Sequence, residues 1–159
     1  MGRFEAEPII AQSLLDRLTD EDPATSTDPP STRAQSFRQF KAALRRDLEA
    51  LLNTRQTPRP APDGFPELAR SLYNYGLPDI ASISPGSSDQ VSRLLALVEE
   101  AVMKFEPRLT QVRVIPESAR GNVRLLRFRI EGLARTDPAP ERVSFDTVLE
   151  LTRGEYEVK

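Results

Sequence analysis

Any chemistry in this 159-residue chain has to do without imidazole and thiolate, because the sequence holds no His and no Cys. That excludes thiolate nucleophiles, imidazole bases and the triads built on them, and it removes the commonest nitrogen and sulfur metal ligands. The acids in suggestive positions are Glu99, Glu100 and Glu106 in one stretch, and Asp146 and Glu150 in another. A glycosidase needs two carboxyls at a set separation across a cleft. Asp146 and Glu150 face the same way on one predicted strand, ~13 Å apart at the usual rise, which is too far for either stereochemical course. Glu99 and Glu100 are adjacent on a predicted helix and point in different directions. No catalytic residue is assigned, and the acids are expected to be solvated or ion-paired.

Cofactor and metal chemistry fare no better. "DEDPATSTDPP" is acidic but lacks the alternation and central Gly of a calcium loop. The seven Gly are scattered, and none opens a predicted helix in a phosphate-cradling pattern. No metal, cofactor or small-molecule substrate is expected. Net charge is −2, from 22 basic and 24 acidic residues, so there is no general excess for binding nucleic acid. Arg124, Arg127 and Arg129 do cluster on one predicted strand, but the neighbouring strand carries Asp146 and Glu150. Cross-strand ion pairing is the simpler account of them.

One short stretch stands apart. Phe105, Glu106, Pro107, Arg108 and Leu109 join an amphipathic run to an alternating one. Pro107 fixes its own φ near −65° and stops the helix, so the flanking acid and base hold their directions. Two readings stay open: a local Glu–Arg surface pair contributing about 0–1 kcal/mol, or a rigid corner that presents an ion-pairing surface to a partner.

The elements that must position this corner follow from periodicity. "PIIAQSLLDRL" (8–18) predicts a docking helix through Ile10, Leu14, Leu15 and Leu18, with Pro8 near its start. Residues 19–33 have the Pro, Ser/Thr and acidic composition of a mobile linker. The spacing of Phe37, Phe40, Leu44, Leu48, Leu51 and Leu52 predicts a long helix over 36–55, with Asn53 as terminator. Residues 56–66, with four Pro, are expected to be extended, and "NYGLP" ends any helix in 67–80 by Gly76. Ser87 and Gln90 make a capping box for a second long helix, along Val91, Leu94, Leu95, Val98, Val102 and Phe105. The period then changes to two in 109–115, 123–133 and 142–151, and "EYEVK" suits a short last strand.

The fold class is therefore α+β: N-terminal helices, then an antiparallel meander of three to four strands packed on two main helices. Its unclosed edge would offer N–H and C=O groups to another chain. The organisation read from this is a helix and linker over 1–33 and one domain over 34–159. The start of the chain has no signal-peptide pattern and no myristoylation signal, and no window is apolar enough to span a membrane, so a cytoplasmic protein is expected.

Five segments, in this order, carry a resemblance: "SLLDRLTDEDP", "LRRDLEALLNTR", "SLYNYGLPDI", "FEPRL" and "VSFDTVLELTRGEYEV". Together, over roughly residues 13–159, they resemble the TssE family of type VI secretion baseplate subunits, related to the small wedge proteins of contractile phage tails. The resemblance implies a structural subunit that contacts the wedge proteins TssF and TssG, within a baseplate that also contains TssK. It also implies a place beside the sheath subunits TssB and TssC, whose assembly such a protein templates by adding strands. The family's Glu-Pro-Arg wedge contact maps onto Glu106, Pro107 and Arg108, with Phe105 and Leu109 packed beneath. Charge reversal at Arg108 is then expected to weaken assembly while leaving the isolated fold intact. Competing readings are a peptidoglycan hydrolase, matching an old lysozyme-like label, and a soluble adaptor for an unrelated partner.

Overall fold

The computed structural model describes residues 9–19, 32–59, 61–80, 87–117 and 124–159. Its elements run α1 (Leu14–Leu18), α2 (Arg33–Asn53), α3 (Pro66–Arg70), a 3-10 turn (Leu72–Asn74) and α4 (Ser88–Phe105). Four strands follow: β1 (Leu109–Pro116), β2 (Leu125–Ala134), β3 (Glu141–Glu150) and β4 (Glu155–Val158). They form one sheet in the order β1-β2-β3-β4, with every neighbouring pair antiparallel, so the expected α+β meander is what the chain adopts.

Helix α2 begins three residues earlier than its apolar pattern suggests, because its start is set by polar chemistry. Thr32 Oγ1 accepts the Gln35 N–H at 3.3 Å, and Gln35 Oε1 accepts the Thr32 N–H at 2.8 Å. This reciprocal cap satisfies two otherwise orphaned donors. The buried stripe of α2 is Phe40, Ala43, Leu44, Leu48, Leu51 and Leu52. Helix α4 starts at Ser87, whose Oγ accepts the Gln90 N–H at 3.5 Å, and buries Leu94, Leu95, Val98, Ala101 and Val102.

These two stripes meet one face of the sheet. Phe128 and Ile130 of β2, Val143, Phe145, Thr147 and Leu149 of β3, and Tyr156 and Val158 of β4 all point inward. Each large side chain fully buried there contributes on the order of 1.5–3 kcal/mol. Strand β1 alternates weakly for a visible reason. Its register with β2 shifts between Thr110 and Arg113, and Gln111 takes φ 51° in this bulge. The extra residue leaves Leu109 and Val112 both buried.

The segment expected as a docking helix over 8–18 is corrected. Only Leu14–Leu18 is helical, because Ser13 starts the helix by accepting the Asp16 N–H at 3.2 Å. Ile10 therefore precedes the helix and shares no helical face with the leucines. Ile10 is buried in the core, while Leu14, Leu15 and Leu18 are 72%, 61% and 75% exposed. Most of the linker, residues 20–31, lies outside the described residues, as do Pro8 and the "ARGN" connection.

After α2 the chain doubles back on itself. The Leu77 N–H donates to Thr54 O at 2.9 Å and the Gln56 N–H to Leu77 O at 2.8 Å, a short parallel bridge that buries Leu77. Gly76 makes this possible. Its φ is +103°, and a Cβ there would stand 2.3 Å from Thr54 O. Thus "NYGLPD" is tied directly to the end of α2.

Candidate functional site

The corner is built where α4 stops. Glu106 is the C-cap residue, with φ −117° and ψ 80°, and its N–H still donates to Val102 O at 2.9 Å. Pro107 has no N–H with which to extend the helix. The Leu109 N–H closes the turn on Glu106 O at 3.1 Å, and β1 begins there.

The acid and the base then turn toward each other. Glu106 Oε1 accepts from Arg108 Nε at 2.7 Å and from the Arg108 N–H at 3.1 Å, and Glu106 Oε2 accepts from Arg108 Nη2 at 2.5 Å. Glu106 is only 5% exposed. Arg108 Nη2 also donates to Asp47 Oδ2 at 2.6 Å. Asp47 Oδ1 receives Arg46 Nη2 at 2.9 Å, and Arg46 Nη1 reaches Asp16 Oδ1 at 2.7 Å. One line of alternating charge thus runs from the corner across α2 to α1: Glu106, Arg108, Asp47, Arg46, Asp16.

The electrostatics follow from this line. The Glu106 hydrogen bond, aided by Asp47 and opposed by burial, raises the Arg108 pKa well above the usual arginine value, so the guanidinium stays charged. The hydrogen bond from Ser13, and then Arg46 against a burial penalty, holds Asp16 below the ordinary carboxylate range. Burial, with the charges of Asp47 and Glu106, pushes the Tyr75 phenol up.

The local Glu106–Arg108 pair is there, but its setting differs from the expected one. The pair is neither a solvated surface contact nor a freely presented one, because Glu106 is buried and its carboxylate is already taken inside the chain. The turn at Pro107 places residues 106 and 108 close enough for both the main-chain N–H and the side-chain fork of Arg108 to reach one carboxylate. The expectation that charge reversal at Arg108 leaves the fold intact falls with this, since a carboxylate there would face a buried like charge. Outward, the corner presents Pro107 and the half-buried Arg108, with the exposed Lys104 and Met103 beside them. Leu109 is buried beneath the corner, and half-buried Phe105 meets Tyr75 edge-on, centroids 5.2 Å apart. A shallow cleft of about 380 Å³ opens here, lined among others by Leu15, Asp47, Tyr75, Phe105 and Pro107.

Asp47, Arg46, Asp16 and Tyr75 were not singled out from sequence. Nothing local to "LRRDLEALL" says that Asp47 meets a residue 61 positions later. Tyr75 had a faint signal, as an aromatic just before the obligatory Gly76.

Several of the acids weighed as catalytic are engaged elsewhere. Glu99 Oε2 accepts the Val114 N–H at 2.9 Å, and Asp146 Oδ1 accepts from Arg129 Nε at 2.7 Å. Arg129 also reaches Glu117 at 2.8 Å, so the cross-strand pairing expected of it is what the sheet contains. Arg127 stands opposite Val148, and Glu150 turns to Arg153 at 3.9 Å.

The sheet edges are not bare, contrary to expectation. At β4, Asn53 Nδ2 donates to Tyr156 O and Asn53 Oδ1 accepts the Tyr156 N–H, both at 2.8 Å. Glu49 Oε2 accepts the Val158 N–H at 3.2 Å, and Arg45 Nη1 reaches Val158 O at 3.4 Å. Residues 45, 49 and 53 share one face of α2, which therefore serves as a substitute neighbouring strand. At β1, Glu99 covers Val114, and Pro116 has no N–H to offer.

Residues 38–139, well over half of the chain, match the family model of the baseplate wedge protein gp25. The chain belongs to the gp25 baseplate wedge family. The matched span runs from α2 through the corner to the end of β2, so it contains both the Asp47–Arg108–Glu106 contact and the β1 edge. This wedge family is one of structural baseplate components. Among solved structures, a chain of the baseplate complex from the type VI secretion system is 18% identical to this one. That likeness covers 70% of this chain and 94% of that one, with a TM-score of 0.47. None of the curated proteins matches the chain.

Proposed function

We propose that the protein is a non-enzymatic wedge subunit of a type VI secretion baseplate, acting in the cytoplasm and built around residues 34–159 as its wedge domain. Membership of the baseplate wedge family carries this reading, and the segment-by-segment resemblance to TssE selects the secretion system over a phage tail. Among the described residues no helix is long and apolar enough to cross a membrane.

In this reading Phe105, Glu106, Pro107, Arg108 and Leu109 form the partner contact with divided labour. Glu106 and Leu109 hold the corner from inside. Pro107, the exposed side of Arg108 and the edge of Phe105 meet the wedge proteins TssF and TssG within the TssK-containing baseplate. A corner already fixed by three hydrogen bonds loses little freedom on binding, which favours association. The sheet then receives a strand from the sheath subunits TssB and TssC, with main-chain hydrogen bonds giving affinity.

The test uses Pro107→Glu, which adds charge at the exposed apex, with the melting temperature reading whether the turn that Pro107 sets survives. The variant is expected to keep the wild-type melting temperature within a few degrees and to lose most capture of co-expressed TssF and TssG. Wild-type capture overturns the contact. Release of muropeptides from cell-wall material by the purified protein, abolished in Glu106→Gln, overturns the non-enzymatic reading.

A further inference from the structure

The two edges of the sheet are closed to different degrees. The β4 edge is held by four hydrogen bonds from Arg45, Glu49 and Asn53, three of them at 3.2 Å or shorter. They come from three side chains of one 21-residue helix, so opening this edge means turning all three away together. Among the described residues, the β1 edge beside α4 is held by one side-chain hydrogen bond to the main chain, Glu99 Oε2 on the Val114 N–H. Glu99 sits on α4 with a long side chain that can rotate into water while the helix stays in place. Register shows that Val114 and Pro116 share this outward orientation: the Glu117 N–H bonds inward to Arg127 O, and Val114 lies opposite Ile130.

We propose that Glu99 is a latch on the β1 edge, and that an extended partner strand adds at β1, displacing Glu99 from Val114, and not at β4. The inference rests on the strand-addition part of the proposed function and names its site and its gate. With Glu99 in place the Val114 N–H is taken, and Pro116 supplies no donor, so this part of the closed edge presents acceptors. An added strand must bring its own N–H groups and compete with a carboxylate for one donor. Side chains narrow the partner further. On the outer face of β1, Arg113 carries no ion pair among the described residues, and Ile115 is 42% exposed. The strand that fits carries an acid opposite Arg113 and an apolar residue two positions away opposite Ile115.

The probe is a soluble ten-residue peptide of alternating Thr and Val with one Glu, titrated into the full chain and followed by backbone amide shifts. Shifts are expected at Val114 and its β1 neighbours and not at Tyr156 or Val158. Glu99→Ala, which frees the Val114 N–H, is expected to tighten binding about fivefold to tenfold, the worth of one competing hydrogen bond. Glu99→Gln keeps an acceptor oxygen at the same reach and stays near wild type. Amide exchange at Val114 in the peptide-free protein is faster for Glu99→Ala alone. Shifts centred on Tyr156 and Val158, equal affinity for wild type and Glu99→Ala, or tightening by Glu99→Gln as large as that by Glu99→Ala each overturn the latch. Capture of TssF and TssG does not depend on this edge, so loss of the latch leaves the wedge reading standing.

Discussion

Removing the Arg108 guanidinium strands a carboxylate that is 5% exposed. Breaking one side of a buried ion pair is expensive because the remaining charge keeps its desolvation cost. Arg108→Ala is therefore expected to lower unfolding free energy by about 3 kcal/mol in urea titration, and Arg108→Glu by more. Replacing both partners, as Glu106→Gln with Arg108→Met, should recover most of that loss. Tyr156 gives the opposite case. It is 4% exposed, and its hydroxyl has no hydrogen-bond partner among the described residues. Tyr156→Phe is expected to be neutral or stabilising by about 1 kcal/mol, since it removes an unpaired buried polar group. Sequence reading picks out Glu106 and Arg108 because both flank a proline, but it cannot see Asp47. A contact between residues so far apart leaves no trace in local spacing.

Elements were the most legible level. The strands and the two long helices follow from the change of apolar period at Pro107, and the inward sets of β2 and β3 are those that alternation selects. What failed was α1, where Ile10 and three leucines share a helical spacing but not a helix. A cap at Ser13 cut the pattern in two. The edges failed as well, because side chains that close a strand border, such as Asn53 and Glu99, look like ordinary surface polar residues in a helix. Two positions test the element boundaries. Gly76→Ala should destabilise the protein by more than about 3 kcal/mol, because a positive φ and a clash with the Thr54 main chain act together. Thr32→Ala should cost about 1 kcal/mol, the usual worth of an N-cap, with melting curves as the measure for both.

For the molecule as a whole, the charged line from α1 to the corner sets a pH response. The Asp16 carboxyl is held below its ordinary range when folded. A depressed acid contributes stability that is complete above its unfolded pKa, near 4, and is lost as pH falls through the lower folded value. Docking of residues 9–18 should therefore hold from neutral pH to about 4 and weaken below it, followed by the methyl resonances of Ile10. Asp16→Asn should remove that acid step while leaving the core of α2, α4 and the sheet in place. Family membership was legible through the order of weak segments, while the internal pairing of the corner was not, because pairing depends on which way a turn closes.

Helix α2 has one further consequence. Asp47 grips the corner, and two and six residues on, Glu49 and Asn53 grip the last strand. Both attachments lie within two turns of one rigid rod, about 10 Å along its axis. A pull on Arg108 is thus shared between the strand ladder that starts at the next residue and a single stiff strut reaching the far border of the sheet.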